Sequence, residues 1–326
     1  MSGKIGNKDL IVSNEFYILG TTNILKAYGE KADIAIIEAM KKLLDIDNKM
    51  SVFKGTSEFS LINNHAGESA VAVSDDTYYV IKKSMQYAQM SNGAFNPTIR
   101  PVVELWNIGR NNSQVPKEES IKEKLQLVNY RDIILNDEKN SIKLAHKQQR
   151  IDGGAIVKGF AADKVKEILI KNGVESAMID LGGNIYAMGV NAGADMPWRI
   201  GIQNPLGIRD EFVGVLSIVD KSIVTSGDYE RYFIKDNKKY HHIIDPRTGY
   251  PCNNGVISAT IVSDSSLDAD ALCTCIYVMG VEEGMKLVDS MEGVDAIIIT
   301  DDKKIHVSSG IKENFILTNL DFKIED

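Results

Sequence analysis

The sequence has few cysteines, few tryptophans and no long apolar run. Its three cysteines, Cys252, Cys273 and Cys275, are too few in 326 residues for a disulfide framework. Cys273 and Cys275 stand two positions apart in a segment typical of a helix, where such residues point to different faces. A zinc site built from these cysteines is therefore disfavoured, and we expect ordinary buried thiols. No stretch approaches the ~18 apolar residues of a membrane span.

Basic residues are fewer than acidic residues. The chain has 37 Lys and Arg against 45 Asp and Glu, which gives a net charge of −8. Such a chain is a poor non-specific binder of nucleic acid or anionic membrane, so we expect no nucleic-acid partner and no direct membrane span. An anionic ligand would need a local device, such as a metal ion or free backbone amides.

The remaining composition is that of an ordinary globular protein. Hydrophobic residues make up 44% and charged residues 25%, enough for a sizeable core without disulfides. The N-terminal residues 1–16 carry no apolar core of signal-peptide length. We therefore expect a cytoplasmic protein, with a trimmed extracytoplasmic lipoprotein as the alternative.

Segments typical of strands and helices alternate along the chain without a repeat or a flexible linker, which predicts one compact α+β unit with sub-lobes. A hairpin is predicted around Gly20 in residues 14–28. The helical stripe predicted in residues 31–49 consists of Ile34, Ile37, Met40, Leu43 and Leu44. The other predicted helices are 75–91, 116–127, 151–173 and 264–280, followed by a second helix. The other predicted strands lie at 131–146, at 178–189 with a glycine break, at several places in 197–262, and in a closing hairpin around Asp301-Asp302.

Two glycine-rich segments stand at the ends of apolar elements. In residues 152–159 a glycine pair precedes a helix, which frees backbone N–H groups, and Lys158 is placed to offer a charge to a phosphate. The spacing fits neither a P-loop nor a dinucleotide fingerprint, and a structural turn is the alternative. In residues 180–184 a carboxylate and two glycines indicate a bulge, a close backbone contact or a bend in a sheet.

Two further segments carry polar chemistry. In residues 240–251, His241 and His242 would face opposite sides of a strand, so only one shares a site with the following turn, which Asp245 is able to cap. A histidine beside that turn fits acid–base chemistry or a structural role. Asp270 and Thr274 stand at i and i+4 of a predicted helix. They suit Mg²⁺ rather than zinc, or else stabilise the helix itself.

Together and in this order, these segments resemble the ApbE family of FAD:protein FMN transferases. The resemblance spans nearly the whole chain and rests on LGTTNILKAYG (19–29), MSVFKGTSEFSLIN (50–63), NGAFNPTIRPVVELW (92–106), DGGAIVKGFAAD (152–163), DLGGNIYAMG (180–189), TSGDYERYF (225–233), HHIIDPRTGYP (241–251) and DADALCT (268–274). It implies an α+β, T-fold-like architecture of mixed and antiparallel sheets packed with helices. The catalytic unit would cover residues 14–326, after a tail at 1–13.

The resemblance implies a Mg²⁺-dependent transfer of FMN from FAD to a Thr or Ser hydroxyl of a target flavoprotein, with release of AMP. FAD would be the substrate and the acceptor flavoprotein the partner. The alternatives are a pyrophosphatase that splits FAD into FMN and AMP with water, and a non-catalytic flavin-binding protein. No cysteine precedes Cys252, so the lipobox cysteine of extracytoplasmic family members is absent.

The resemblance also implies roles for individual residues. His242 would be the general base, and Asp245 would orient it or shape the turn. The implied metal ligands are Asp270 and Thr274, with backbone carbonyls from Ala155 and Cys273. The implied FAD contacts are Phe53, Ala94, Phe95, Asn96, Asp152, Lys158 and Ile244. Asn96 stands where the family usually has Asp, and Leu19 where it commonly has Met.

Overall fold

The computed structural model of the protein describes residues 10–325. Its α-helices are Ala32–Met50 (α1), Glu58–Asn64 (α2), Asp75–Met90 (α3), Arg100–Trp106 (α4), Glu118–Leu125 (α5), Val157–Lys171 (α6), Ser266–Met279 (α7) and Val281–Asp289 (α8). Its strands are Ile11–Ile18 (β1), Thr21–Tyr28 (β2), Val71–Ala72 (β3), Ile133–Asn136 (β4), Ser141–Leu144 (β5), Ser176–Leu181 (β6), Asn184–Met188 (β7), Trp198–Gln203 (β8), Phe212–Ile218 (β9), Lys221–Gly227 (β10), Tyr232–Lys235 (β11), Lys238–His241 (β12), Val256–Ser263 (β13), Val294–Thr300 (β14), Lys304–Val307 (β15), Phe315–Leu317 (β16) and Lys323–Glu325 (β17).

A nine-stranded sheet is the centre of the fold, in the order β1-β2-β6-β7-β10-β13-β14-β15-β17. Its neighbours pair antiparallel, except that β15 and β17 are parallel. Three small sheets accompany it, in the orders β11-β12, β16-β9-β8 and β3-β5-β4. This is the mixed and largely antiparallel arrangement that the sequence predicts.

The central sheet is covered on both faces. On β14, Ala296 and Ile298 join the core that contains α1, α6 and α7, whereas Ile297 and Ile299 join a second core with β8, β9 and β16. This alternation is the two-residue period of a strand, and it explains why the inner strands are apolar on both faces. The helix-covered face carries the larger core.

A third apolar cluster forms a sub-lobe beside the central sheet. Trp106 at the end of α4 lies at its centre and donates its indole N–H to the carbonyl of Gly249 at 2.7 Å. The rings of Phe233 and Tyr240 stack at 5.2 Å, and Tyr240 lies 5.5 Å from Trp106. The aromatic side chains of the β11–β12 hairpin therefore pack on α4, while His241 at the end of β12 lies 5.8 Å from the ring of Tyr277 in α7.

Several local predictions are confirmed. The β1–β2 hairpin turns at Leu19 and Gly20, both with positive φ, as a two-residue hairpin turn requires. The helices predicted at 31–49, 75–91, 116–127 and 264–280, and the closing hairpin at 294–307, are present within a few residues of their predicted bounds.

The predicted apolar stripe of α1 is confirmed at Leu43, which is fully buried, and wrong at three other positions. Ile34, Ile37 and Leu44 are about half exposed, at 50%, 50% and 47%. The buried face consists of Ala32, Ala35, Ile36, Ala39, Leu43, Ile46 and Met50. Because alanine is small, it lets α1 lie close to its neighbours, and this packing outweighs the greater hydrophobicity of the isoleucines.

Other predictions need correction at their boundaries. The strand predicted at 131–146 is the β4–β5 hairpin, and the segment 178–189 is the β6–β7 hairpin. Gly182 and Gly183 form the turn of the latter with φ of +62° and +86°, so they are neither a bulge nor a bend. Helices α2 and α4 were not predicted.

The predicted N-terminal tail overlaps the first strand. Residues 11–13 belong to β1 and pair with β2, while residues 1–9 lie outside the described residues. No helix within residues 10–325 has the length and apolar character needed to cross a membrane.

Candidate active site

A cleft of about 1230 Å³ brings most of the predicted site residues together. Of the predicted residues, those that line it are Phe53, Ala94, Phe95, Asn96, Asp152, Ala155, Lys158, His242, Ile244, Asp270 and Thr274. Asp245 and Cys273 lie behind its surface. One wall is formed by the start of α6 and by α7, and the other by the segment that follows the β11–β12 hairpin.

The start of α6 uses its backbone amides within the chain. Gly154 donates its N–H to Asp152 Oδ1 at 2.7 Å, and Gly159 donates to Asp270 Oδ2 at 2.9 Å. We expected such amides to be available to a ligand. Two of them are instead occupied by carboxylates of the chain itself, so Asp270 occupies the anion-binding end of α6.

Gly159 allows α6 and α7 to touch. A Cβ atom at this position would lie 2.2 Å from the carbonyl oxygen of Ser266 and 2.7 Å from the Cβ of Asp270. Its role is thus helix-to-helix packing, which brings Asp270 of α7 next to Lys158 of α6.

The Asp270 carboxylate is a buried charge that faces the cleft. Asp270 is only 4% exposed to solvent. Burial raises the pKa of this carboxyl, while Lys158 and the amides of Lys158 and Gly159 act in the opposite direction. A buried carboxylate is costly without a compensating positive charge, so the position favours a cation in the cleft.

The oxygen donors beside Asp270 fit Mg²⁺. Thr274 Oγ1 lies 3.5 Å from Ser226 Oγ on the cleft wall, and Ala155 lines the same cleft. Within residues 10–325 no group of three or more His, Cys, Asp and Glu is gathered around a metal position. One carboxylate with neutral oxygens, completed by water or phosphate oxygens, is a usual environment for Mg²⁺. The ligand roles themselves stay predictions.

Cys273 is buried next to this position. Its thiol lies 3.1 Å from the carbonyl oxygen of Asp270 and 2.9 Å from Ser226 Oγ. Burial, followed by the charge of Asp270, raises the pKa of the thiol to about 12, so it is a neutral thiol at physiological pH. Its carbonyl lies inside α7, where the helix's own hydrogen bonds use such groups. The carbonyl ligand predicted at Cys273 therefore gains no support from these contacts. All three cysteines are free and buried.

Phe53 presents an exposed aromatic ring between two arginines. Its residue is 65% exposed, and the guanidinium carbons of Arg110 and Arg100 lie 4.4 and 5.1 Å from the ring centre. Arg100 also donates to Asp152 Oδ2 at 2.8 Å. Neither arginine is among the predicted site residues, although Arg100 lies inside a matching block.

The segment 94–96 forms the floor of the cleft beside this ring. Ala94 and Phe95 are each 3% exposed. Asn96 Oδ1 accepts the backbone N–H of Thr98 at 3.0 Å and its hydroxyl at 2.8 Å. The amide at position 96 thus keeps a local turn closed, as an aspartate would.

The two adjacent histidines have different environments, as the strand geometry predicts. His241 is 6% exposed, and its Nε2 donates to the carbonyl of Cys252 at 2.8 Å. His242 lines the cleft, and its Nδ1 donates to the carbonyl of Arg231 at 3.2 Å. Desolvation, followed by the charge of Arg231, lowers the pKa of His242 to about 3. The ring is thus neutral, and with the proton on Nδ1 its Nε2 is free to accept another.

Asp245 shapes the turn that follows His242. Its carboxylate binds the guanidinium of Arg247 through two contacts at 2.9 and 2.7 Å and accepts the Arg247 backbone N–H at 2.9 Å. Its own carbonyl accepts the N–H of Gly249 at 2.8 Å. These contacts favour the second of its two predicted roles, that of shaping the turn. Ile244 pairs with Pro251 across the same turn.

Asp180 is a further carboxylate on the cleft wall, in the segment 180–184, but it is not among the predicted site residues. Asp180 accepts the N–H of Gly183 at 2.8 Å. Burial raises its pKa, against the effects of that amide, Lys158 and Arg209. Its position two residues before Gly182 in a matching block is the available signal, because Asp180 and the two glycines of this turn line the cleft together.

The cleft therefore unites a lysine, a buried carboxylate with neutral oxygens, an exposed aromatic ring and a neutral histidine, on an α+β fold with a largely antiparallel central sheet. These features define a candidate active site for a phosphorylated ligand. The chain belongs to the ApbE family, whose family model matches residues 19–298. The resemblance seen in the sequence is thereby confirmed.

Relatives and solved structures agree with this assignment. The FAD:protein FMN transferase of Treponema pallidum is 34% identical over 94% of this chain and 90% of its own length. The FAD:protein FMN transferase of Klebsiella pneumoniae is 34% identical over 97% of this chain and 98% of its own length. The ApbE protein of Thermotoga maritima has a TM-score of 0.86 at 31% identity, and the flavin transferase ApbE of Vibrio cholerae 0.84 at 29%; each comparison covers 94% of this chain and 99% of the other. The predicted fold class is confirmed.

Proposed function

We propose that this protein transfers FMN from FAD to the hydroxyl of a threonine or serine in an acceptor flavoprotein, in a Mg²⁺-dependent reaction that releases AMP. The relatives named FAD:protein FMN transferase support the general reaction. The observation that carries the proposal is that Lys158, Asp270 and His242 line one cleft although they come from distant parts of the chain.

The first requirement of the reaction is to neutralise charge on the pyrophosphate. Lys158 offers an ammonium group from the start of α6. Asp270, Thr274 and the carbonyl of Ala155 are the oxygen donors that would hold Mg²⁺, which would withdraw charge from the phosphate oxygens. Because Asp270 is anchored by the Gly159 amide, its carboxylate is oriented before a ligand arrives.

The second requirement is a base for the acceptor hydroxyl. His242 is suited to it because its ring is neutral and its Nδ1 proton is engaged by Arg231. The hydroxyl proton passes to Nε2 as the hydroxyl oxygen bonds to the phosphorus of the FMN half. The bond from that phosphorus to the bridging oxygen breaks, and AMP leaves with the electron pair.

The third requirement is to hold the dinucleotide. The exposed ring of Phe53 offers a surface on which a planar base can stack, and Arg110 extends that surface at 4.4 Å. Asp152 is already neutralised by Arg100, so it adds no unbalanced negative charge next to the phosphates.

The test is a reaction with FAD, Mg²⁺ and a purified acceptor flavoprotein, followed by mass spectrometry of the acceptor and chromatography of the nucleotides. We expect the acceptor to gain one FMN for each AMP released, and EDTA to stop both. AMP without modified acceptor would support the pyrophosphatase instead. FAD binding without any AMP would support a non-catalytic flavin protein.

We retain the cytoplasmic location as a prediction, with an extracytoplasmic lipoprotein as the alternative. Digestion of intact and lysed cells with an added protease distinguishes the two. The protein should survive in intact cells if it is cytoplasmic.

A further inference from the structure

We infer that the ion pair between Asp228 and Lys239 positions His242, because it ties the base of the β11–β12 hairpin to the central sheet. The inference rests on the proposed function, in which His242 is the general base. Asp228 lies inside the matching block 225–233, but neither Asp228 nor Lys239 is among the predicted site residues.

The hairpin has few attachments to the rest of the fold. Its strands pair only with each other among the described residues. One side is fixed by the stacked rings of Phe233 and Tyr240 on Trp106. That attachment lies in the sub-lobe. At the end of β12 the ring of His241 packs edge-on against Tyr277 of α7 at 5.8 Å, but neither of these ring contacts ties the hairpin to the strands of the central sheet.

The ion pair ties the hairpin to the strands of the central sheet. Lys239 Nζ on β12 lies 2.9 Å from Asp228 Oδ2, and Asp228 directly follows β10. The backbone N–H of Asp228 donates to the carbonyl of Ile257 on β13 at 3.2 Å. Asp228 is therefore part of the central sheet, and Lys239 is held to it.

The negative charge of Asp228 is compensated by the ammonium group of Lys239. The residue is 8% exposed, and its Oδ1 atom is buried without a hydrogen-bond partner among the described residues. A buried carboxylate that loses its partner is strongly disfavoured. Loss of the lysine would thus push Asp228 toward water and open the base of the hairpin.

The same base holds His242. Both the backbone N–H and Nδ1 of His242 donate to the carbonyl of Arg231, at 3.1 and 3.2 Å. Arg231 follows Asp228 by three residues, and His242 follows Lys239 by three. The Asp228–Lys239 ion pair and the two hydrogen bonds from His242 to Arg231 therefore join the same two chain segments at the base of the hairpin. A shift of Lys239 away from Asp228 would also move His242 relative to Arg231.

Asp228 is a positioning residue, since it does not line the cleft, whereas Lys239 does. This difference separates positioning from direct binding of the ligand. If Lys239 acted on FAD by itself, its removal would weaken FAD binding and removal of Asp228 would not. If the pair acts as a unit, both removals have the same effect.

The experiment compares Asp228→Asn, Lys239→Met and the double variant by steady-state kinetics with FAD and a protein acceptor. We expect kcat to fall roughly 10- to 100-fold in each, as for a misplacement of about 1 Å, with KM for FAD unchanged. The double variant should be no worse than the single ones, since the two residues act together. Lys239→Arg should retain most activity.

Lys221→Met is the matched control. Lys221 lies at the other end of β10 and pairs with Asp264 at 2.6 Å, with a side-chain exposure of 33% against 36% for Lys239. The kcat of the Lys221→Met variant should stay at the wild-type value. Additive losses, or a KM increase confined to Lys239→Met, would overturn the inference.

Amide hydrogen exchange provides a readout that does not need activity. The His242 amide should exchange faster in Asp228→Asn and Lys239→Met than in the wild type or Lys221→Met, because its bond to Arg231 loosens. Unchanged exchange would overturn the positioning role. If the wild type transfers no FMN, the proposed function fails, and the exchange experiment still decides whether the pair holds His242.

Discussion

The two walls of the cleft are built in different ways. The wall of α6 and α7 belongs to the main core, and Gly159 brings its two helices into direct contact. The opposite wall is a two-stranded hairpin that hydrogen-bonds and stacks at a few points. Asp270 is thus oriented by packing, whereas His242 is oriented by a few polar contacts, so the second wall is the more sensitive to single substitutions of charged groups.

Burial shifts the pKa values of the key groups on the two walls in opposite directions. It raises the pKa of Asp270 and lowers that of His242, since in both cases it disfavours the charged form. At Asp270 the buried carboxylate is stabilised when a cation binds beside it. At His242 it is a neutral ring that is ready to take a proton.

The largest effect is expected from His242→Ala on the hairpin wall. Removal of a general base costs about 10²- to 10⁴-fold in rate, so FMN transfer should fall by that factor. FAD affinity should remain, because the α6 and α7 wall and Phe53 are unchanged. Single-turnover kinetics and FAD titration measure the two quantities, and a fully active variant would remove His242 from its role.

The pH profile sharpens the same prediction. Because the pKa of His242 is lowered from 6.5 to about 3, kcat/KM should show no inflection from this residue between about pH 5 and about pH 8. The unfolded chain takes up this proton near the ordinary value. The stability that neutral His242 contributes is therefore present above about pH 6.5 and is lost as the pH falls toward about 3. A rising limb near the ordinary histidine pKa would contradict this assignment.

Gly159→Ala tests the packed wall. Replacing glycine by alanine in a helix interior normally raises the free energy of unfolding by about 0.5–1 kcal/mol. At position 159, however, the added Cβ would lie 2.2 Å from the carbonyl oxygen of Ser266. Overpacking costs about 1–3 kcal/mol, so we expect a net loss of stability in urea unfolding. Gly154→Ala is the control, as its nearest neighbour is Asp152 Oδ1 at 3.0 Å; equal losses would argue against the helix contact.

Asp270→Asn has the smallest expected effect on metal-free stability, and its sign is informative. Since burial raises the pKa of Asp270, its ionisation opposes folding at neutral pH, and the neutral amide should raise the melting temperature slightly. In the wild type, FAD and Mg²⁺, each at about 100 times its Kd, should each add about 2.7 kcal/mol to the free energy of unfolding. In the variant, the part due to Mg²⁺ should vanish.

Asp268→Asn is the control for this experiment. Asp268 lies on the same helix but accepts the hydroxyl of Tyr87 at 2.5 Å, away from the cleft. It should keep the Mg²⁺ response. If Asp270→Asn kept that response as well, the metal would bind elsewhere.

Local features of the fold could be predicted where a short segment is sufficient. Gly20 and the stop at Asn92-Gly93 mark chain reversals that need a left-handed backbone, and both are where the sequence placed them. The face of α1 could not be predicted in this way, because its small alanines are buried by neighbours that are distant in sequence. The pairing of the two glycines at 182–183 as a hairpin turn likewise depends on how β6 and β7 meet.

The candidate site was predictable as a set of residues, but not as a geometry. Most of the predicted residues line the cleft, yet Asp245 supports a turn and the Cys273 thiol is buried behind the wall. Arg100 and Arg110 line it without having been singled out, and Asp180 was noted only for its turn. The blocks that contain Arg100 and Asp180 were evident, but the direction of each side chain was not.

The sequence by itself determined the family, through the order of its motif blocks, and the turns and many of the strands and helices, through spacings of a few residues. Only the tertiary structure decided which groups meet. Asp270 takes the amide of Gly159 across 111 positions of the chain, and Asp228 takes the ammonium of Lys239 across a hairpin. Such contacts depend on the packing of whole helices and strands, and no local period of the sequence records where two distant elements touch.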